Sequence, residues 1–400
     1  MIEIQVHDDD SRFAGQLRRR ILEGIAKLPE STQAQFHVYP PIDTDTFEKY
    51  MRELETRQQA FRRHGDWTGD DIPLDRASIL VVDYDLLQDT AFLTGEMVAY
   101  AVRCFSTCGL VVGVNQYGEN PFDLTLRGHL ESFADLNVGW RQLSNASLWG
   151  GTQRGFTPWH WPSLPAYHSA FEGKAKCILE NLDANLCVWQ ILGFPADSFE
   201  MLPRTVAGFL GSQPRDVTFD RFVRLSGNGL RRKDLPGGGD VSAHVVARVG
   251  AARISKWLER RLLPRQDILV DAPHLVSRYP SLLASDSKDI ETWNRTAQLT
   301  RHEELPLDTK LIEPFRLRRR DWASRPVWFW DELRECEEIR EVAKPWTTQT
   351  PDWLFCEDAS RFYERRHCTE FVASTGSPYE RRFARVFENV HYDPQVPFYL

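Results

Sequence analysis

Ile79 to Val82 is an unbroken apolar run that ends in Asp83, and it limits the fold more than any other feature of the chain. A strand with no polar alternation must be covered on both faces, as a central strand of a parallel sheet is. Parallel neighbours need long crossovers, so such strands alternate with helices along the chain. The first 115 residues supply that alternation. Residues 2 to 6 alternate Ile, Glu, Ile, Gln, Val as a strand. Phe13, Leu17, Ile21 and Ile25 then repeat at four-residue spacing on a helix capped by Asp10 or Ser11. A second strand is expected over Gln35 to Tyr39, a charged helix from about Asp45 to Arg63 and a long polar loop over His64 to Arg76. A helix from about Leu93 to Phe105, a buried strand over Gly109 to Val114 and a last strand in SFADLNV complete the set. The pattern predicts an α/β fold: a doubly wound, parallel, five-stranded sheet over residues 1–147, with a long insertion at about 43–76.

Two acidic clusters fall at strand ends, Asp8 to Asp10 after the first strand and Asp83 after the third. Open α/β sheets bind ligands in the crevice beyond the carboxyl ends of their strands, so these carboxylates are the candidate site. A hard cation such as Mg²⁺ takes carboxylate oxygens and keeps several waters, which makes Asp8, Asp9 and Asp83 candidate metal ligands. Without a cation, the like charges raise one another's pKa. A carboxylate facing the open position can also attack phosphorus and form an acyl phosphate, and Asp83 is the candidate for that role.

The segments VHDDDSRFAGQLRRRI and ILVVD resemble the first strand, acid pair and first helix, and the third strand, of the receiver domain of bacterial response regulators. The resemblance covers roughly residues 1 to 145. It implies that Asp8 and Asp9 hold Mg²⁺ and that Asp83 accepts a phosphoryl group from a histidine kinase. The Thr94, Gly95 and Glu96 turn fits the same pattern. Two positions depart from it: Val114 or Asn115 stands where the family has a Ser or Thr, and Asn137 stands near the place of its Lys. The resemblance therefore implies a regulatory or signalling protein whose degenerate receiver-like domain controls partner or output interactions. It also implies a protein partner and the option of a homodimer.

Residues 148–400 form the expected output or interaction region, of mixed α+β character, with two subdomains split near 265–300. Helices are expected over His168 to Gln190, Asp197 to Leu210 and Ala243 to Leu263. Between Pro214 and Arg265, twelve Lys or Arg face five Asp or Glu. Arg231, Arg232, Lys233, Arg253 and Lys256 are thus candidates for an anionic partner, nucleic acid included, and HVVARVGAARISKWLERRL superficially resembles a helix-turn-helix reader. The net charge of −8 excludes a surface that binds nucleic acid throughout. Asp271, His274, Glu357 and Asp358 offer a metal-dependent nuclease, and the Asp83–Asp85 spacing after an apolar strand resembles haloacid-dehalogenase-type phosphatases; these are the enzyme alternatives. The aromatic segment around Trp159, His160 and Trp161 is expected to plug a space between domains. No apolar stretch is long enough to cross a bilayer, and the N-terminal residues lack the pattern of a signal peptide, so a cytoplasmic location with no membrane partner is expected. Seven scattered cysteines suit reduced thiols.

Overall fold

The computed structural model of the chain describes residues 1–64, 67, 71–84, 86, 94–115, 132–150, 163–182, 185–208, 210, 213–219, 222, 242–263, 267–272, 274–275, 290–291, 293–294, 312–317, 322–323, 325–337, 353–356, 359, 361–371 and 382–385. Five strands form one sheet: β1 (Ile2–His7), β2 (Phe36–Val38), β3 (Ile79–Asp83), β4 (Leu110–Asn115) and β5 (Leu136–Gly139). Their order is β2-β1-β3-β4-β5, and every neighbouring pair is parallel. All five residues of β3 are buried, as its apolar run requires.

Helix α1 (Ser11–Ile25) buries Leu17, Ile21 and Ile25 on the predicted face, with Asp10 as its cap. Gly24 on that helix admits the segment 140–149: an added Cβ would stand 2.6 Å from the Leu143 carbonyl and 2.8 Å from the Trp149 ring. Trp149 Nε1 donates to the same carbonyl at 2.8 Å. Helices α2 (Thr44–His64) and α3 (Gly95–Phe105) pack on each other, on the face to which right-handed crossovers send them.

Within the stretch expected as a long polar loop, the described residues 71–76 close on the core. Pro73–Arg76 forms a 3₁₀ turn that buries Leu74 and presents Asp75 to the buried Arg57 of α2. Arg57 donates to both Asp75 oxygens, at 2.9 and 2.8 Å, and to the Phe105 carbonyl at 3.0 Å. Asp75 also accepts from Ile72 N and Ser106 Oγ. One carboxylate thus ties α2, the 3₁₀ turn and the end of α3.

Two further helices, α4 (Leu164–Asn181) and α5 (Ala243–Trp257), pack on each other, and α5 packs on α3. The buried apolar cluster runs from Ile4 to Phe329, and Leu148 and Trp149 lie inside it, so the core is continuous across the boundary expected at 147–148. Polar contacts support this junction. Arg103 of α3 pairs with the buried Asp135, and its guanidinium lies 4.5 Å from the Phe171 ring centre of α4. Arg248 of α5 donates to the Thr107 carbonyl at 2.9 Å and to that of Cys108.

Three expected helices differ in extent. The one placed at 168–190 begins at Leu164, with Pro165 in its first turn, and ends at Asn181; a separate turn, Val188–Leu192, ends at Gly193 with φ 74°. The one placed at 197–210 is two short turns, Ala196–Glu200 and Arg204–Ala207, because Pro203 lacks the N–H needed to continue. The one placed at 243–263 is α-helical to Trp257 and finishes as a π turn, Leu258–Leu262.

Further along are an antiparallel pair, β6 (Leu269–Asp271) with β7 (Val327–Phe329), and a mixed four-stranded sheet. Its strands are β8 (Trp353–Cys356), β9 (Arg361–Glu364), β10 (Thr369–Phe371) and β11 (Arg382–Ala384), in the order β10-β11-β8-β9. Among the described residues, no helix is long and apolar enough to cross a membrane.

The Arg57–Asp75 pair gives a direct test. Asp75→Ala leaves a buried guanidinium without its bidentate acceptor and is expected to lower stability by about 3 kcal/mol. Urea unfolding followed by far-UV circular dichroism measures this, and a loss below about 0.5 kcal/mol, the size for a surface pair, would contradict the clamp.

Candidate functional site

The ladder between β1 and β3 pairs Val6 with Val81 and His7 with Val82, so the next residues in register are Asp8 and Asp83. In this strand order the connections leave β1 and β3 in opposite directions, which opens the crevice at their carboxyl ends. Asp8 and Asp83 are 2% and 0% exposed, and Asp9 is buried as well.

The three consecutive acids do different work. Asp10 is half-buried, accepts from Arg12 N at 2.8 Å and pairs with the Arg12 guanidinium, which caps α1 and holds the Asp10 carboxyl below its ordinary range. The backbone N–H of Asp10 points the other way, to Asp8 Oδ1 at 2.9 Å and Asp9 Oδ1 at 3.1 Å. Burial pushes the Asp8 carboxyl from 3.8 to about 8, with the charge of Asp83 as the next cause and the Asp10 N–H opposing both.

Helix α3 begins against this site. Thr94 caps it through Met97 N at 3.3 Å. Gly95 N donates to the Tyr84 carbonyl at 3.1 Å. A Cβ on Gly95 would stand 2.4 Å from the Asp83 carbonyl oxygen, so a glycine is required for the helix to approach the strand end this closely. Glu96 accepts from Phe133 N, and burial followed by the Glu96 charge raises the Tyr84 hydroxyl.

His7 belongs to the site although its role was not legible in the sequence. The ring is fully buried, stacked on Phe47 with centroids 3.4 Å apart, and Nδ1 lies 3.1 Å from the Ile42 carbonyl. Burial lowers its pKa to about 4. The neutral ring therefore donates its Nδ1 proton to Ile42 and leaves Nε2 as an acceptor. Its place as the residue just before the acids, on an inward-facing strand, was the available signal.

The positions opposite the acids are apolar or amide. Val114 pairs with Asp83, and Asn115 ends β4. Asn137 lies inside β5, opposite Gly113, where its Nδ2 stands 3.0 Å from the position of a Cβ. It is thus two rungs short of the Asn115–Gly139 pair at the strand ends.

The basic candidates separate. Arg231, Arg232 and Lys233 lie outside the described residues. Lys256 Nζ donates to the Ser132 carbonyl at 2.7 Å, and Arg253 lies over the Phe222 ring at 5.9 Å with its pKa lowered to about 10 by burial. Both side chains make contacts within the chain. Asp271 and His274 do come together: Asp271 Oδ1 lies 2.5 Å from His274 Nδ1, and Oδ2 accepts from Arg325 Nε at 2.7 Å. The guanidinium also reaches Glu259 at 3.6 Å, so the network joins β6 to the turn after α5. Asp85, Glu357, Asp358, Trp159, His160 and Trp161 lie outside the described residues.

Among the described residues, no group of three His, Cys, Asp or Glu side chains is spaced to hold a metal ion. Mg²⁺ needs only one or two carboxylates, with waters and ligand oxygens completing its shell. Asp8 and Asp83, two buried oxygen donors that repel each other, fit that chemistry.

Asp8 and His7 oppose each other in their effect on stability. The raised Asp8 carboxyl holds an extra proton in the folded chain between 3.8 and about 8, so its contribution falls as pH rises through that window. The lowered His7 leaves the extra proton on the unfolded chain between about 4 and 6.5, so its contribution rises with pH there. They offset up to pH 6.5, and the Asp8 contribution stands alone from 6.5 to about 8. Chelator-treated protein is expected to lose on the order of 2 kcal/mol across that interval, and Asp8→Asn to abolish the loss. Urea midpoints across the interval check it; a wild-type profile as flat as that of the variant would contradict the coupling. Comparison with protein-family models, curated proteins and solved structures finds no match to this chain.

Proposed function

We propose that this chain is a regulatory or signalling protein in which the sheet domain is a degenerate receiver-like module, with the acidic crevice as input and the helical layer of α4 and α5 as output. The reading rests on the position of α3. Its first residue, Gly95, lies against the Asp83 backbone, and the segment leaving its last turn carries the Thr107 and Cys108 carbonyls to which Arg248 of α5 donates. A change of charge at Asp8 and Asp83 acts at one end of a rigid element whose other end is held by the output layer.

Mg²⁺ bound by Asp8 and Asp83 would neutralise the buried repulsion and draw in a phosphate or carboxylate oxygen. The chain's own groups then divide the remaining work. Asp83 is the nucleophile if a phosphoryl group is transferred, the Asp10 N–H orients Asp8 and Asp9, and neutral His7 excludes water from the floor of the crevice. Val114, Asn115 and Asn137 supply neither a hydroxyl nor an ammonium to follow a phosphoryl group, so the cation-dependent change of charge is the central input in this reading. The inward contacts of Arg253 and Lys256 favour a protein partner over nucleic acid.

Hydrogen exchange with and without Mg²⁺, and with Mg²⁺ plus a small phosphodonor, tests the proposal. Mg²⁺ is expected to slow exchange across Gly95–Phe105 and Ala243–Trp257 and to raise the thermal midpoint most between pH 6.5 and 8, and Asp83→Asn to remove both effects. Intact mass after the phosphodonor reports whether a labile adduct also forms. Unchanged exchange in both helices under all three conditions would reject the regulatory reading, and turnover of a generic phosphatase or nuclease substrate would replace it with an enzyme.

A further inference from the structure

A second chemically competent pair lies far along the chain from the acidic crevice. β8 ends at Cys356, which is fully buried in a small apolar cluster with Leu354 and Phe383. Cys368 follows the turn Arg365–His367 and immediately precedes β10. The two sulfurs are 3.4 Å apart, and both residues are thiols. Cys368 is partly exposed, and its Sγ also lies 3.3 Å from the Glu364 carbonyl and 3.7 Å from that of Tyr363.

We propose that Cys356 and Cys368 are a reversible disulfide-forming site, with Cys368 as the thiol that meets the oxidant and Cys356 as the thiol that resolves it. An accessible thiol beside a buried partner is the arrangement redox-responsive pairs use. A disulfide requires the sulfurs to close by a further ~1.4 Å. The strand ladders pair Cys356 with Phe383 and Phe383 with Glu370, so the bond would fasten β8 to the start of β10 across β11. It would convert a sheet held by short ladders into a covalently closed one.

The oxidant is a small organic disulfide such as oxidised glutathione. The Cys368 thiolate attacks one of its sulfurs; the other half leaves as a thiolate and takes up a proton. The Cys356 thiolate then attacks the Cys368 sulfur of the mixed disulfide and displaces the second small thiol, which is also protonated. Two protein thiols lose two protons and two electrons, and the small disulfide gains both as two thiols. Cys104 and Cys108 do not compete, since both are buried in the sheet domain and burial pushes their thiols up to about 12 and about 11.

The test uses the native full-length chain treated with oxidised glutathione, capped with a maleimide, digested and mapped by mass spectrometry. The expected result is a Cys356–Cys368 linked peptide, two fewer thiols capped, and full reversal by dithiothreitol. Cys356→Ala is expected to stop at a stable glutathione adduct on Cys368, and Cys368→Ser to lower both products to background. Circular dichroism of the two variants verifies that each is folded, and either one in its native state suffices for the comparison. Wild-type protein that leaves Cys368 unmodified, retains the mixed disulfide there, or links a different pair would overturn the proposal.

Discussion

The parallel pairing of β1 with β3 is the constraint on which the remaining structure turns. Its register puts Asp8 beside Asp83 at the point where the chain's connections diverge, and the apolar side chains of the same strands form the centre of the core. Shifting that register by one residue would turn Ile4 and Val6 away from their layer and move the acids off the crevice. Stability and the candidate chemistry therefore rest on the same ladder. Burial of Val81 and Val82 fixes the strand, and the fixed strand holds Asp83 in a setting where its charge is costly.

Around this ladder the chain manages charge in two ways. Buried pairs, Arg57 with Asp75 in a bidentate arrangement and Arg103 with Asp135, join elements distant in sequence. At the crevice, carboxylate instead faces carboxylate. His7, the residue before these acids, is held neutral by burial, while Asp8 is pushed towards its protonated form by burial and by Asp83. The contrast distinguishes carboxylates that hold the fold together from those whose state can change.

Much of the fold could be read from the sequence because its strands are marked by composition. The run Ile79 to Val82, the alternation over residues 2 to 6 and the four-residue spacing of Leu17, Ile21 and Ile25 each report a local burial pattern that packing then satisfies. Within the expected loop, the anchoring of Asp75 by the buried Arg57 was not legible, because nothing in the local pattern reveals a partner 18 residues away. Pro203 divides what reads as one helix, a boundary the residue itself announces. Of the site, the acids were legible by their position after strands, and Gly95 by its turn. His7 was not, since a histidine at a strand end signals burial only when the stacking Phe47 is known. The inward course of Arg253 and Lys256 was equally hidden, because a basic helix reads the same whether its charges meet solvent or backbone carbonyls.

The central claim is that Asp8 and Asp83 form one coupled, buried carboxyl pair. Carbon-13 NMR titration of selectively labelled aspartate carboxyls in chelator-treated protein measures this directly. The account predicts one aspartate carboxyl titrating at about 8 that is absent from Asp8→Asn and moves to lower pH in Asp83→Asn, because the second cause of its shift has been removed. Aspartate carboxyls that all titrate near the ordinary value of 3.8 would contradict it.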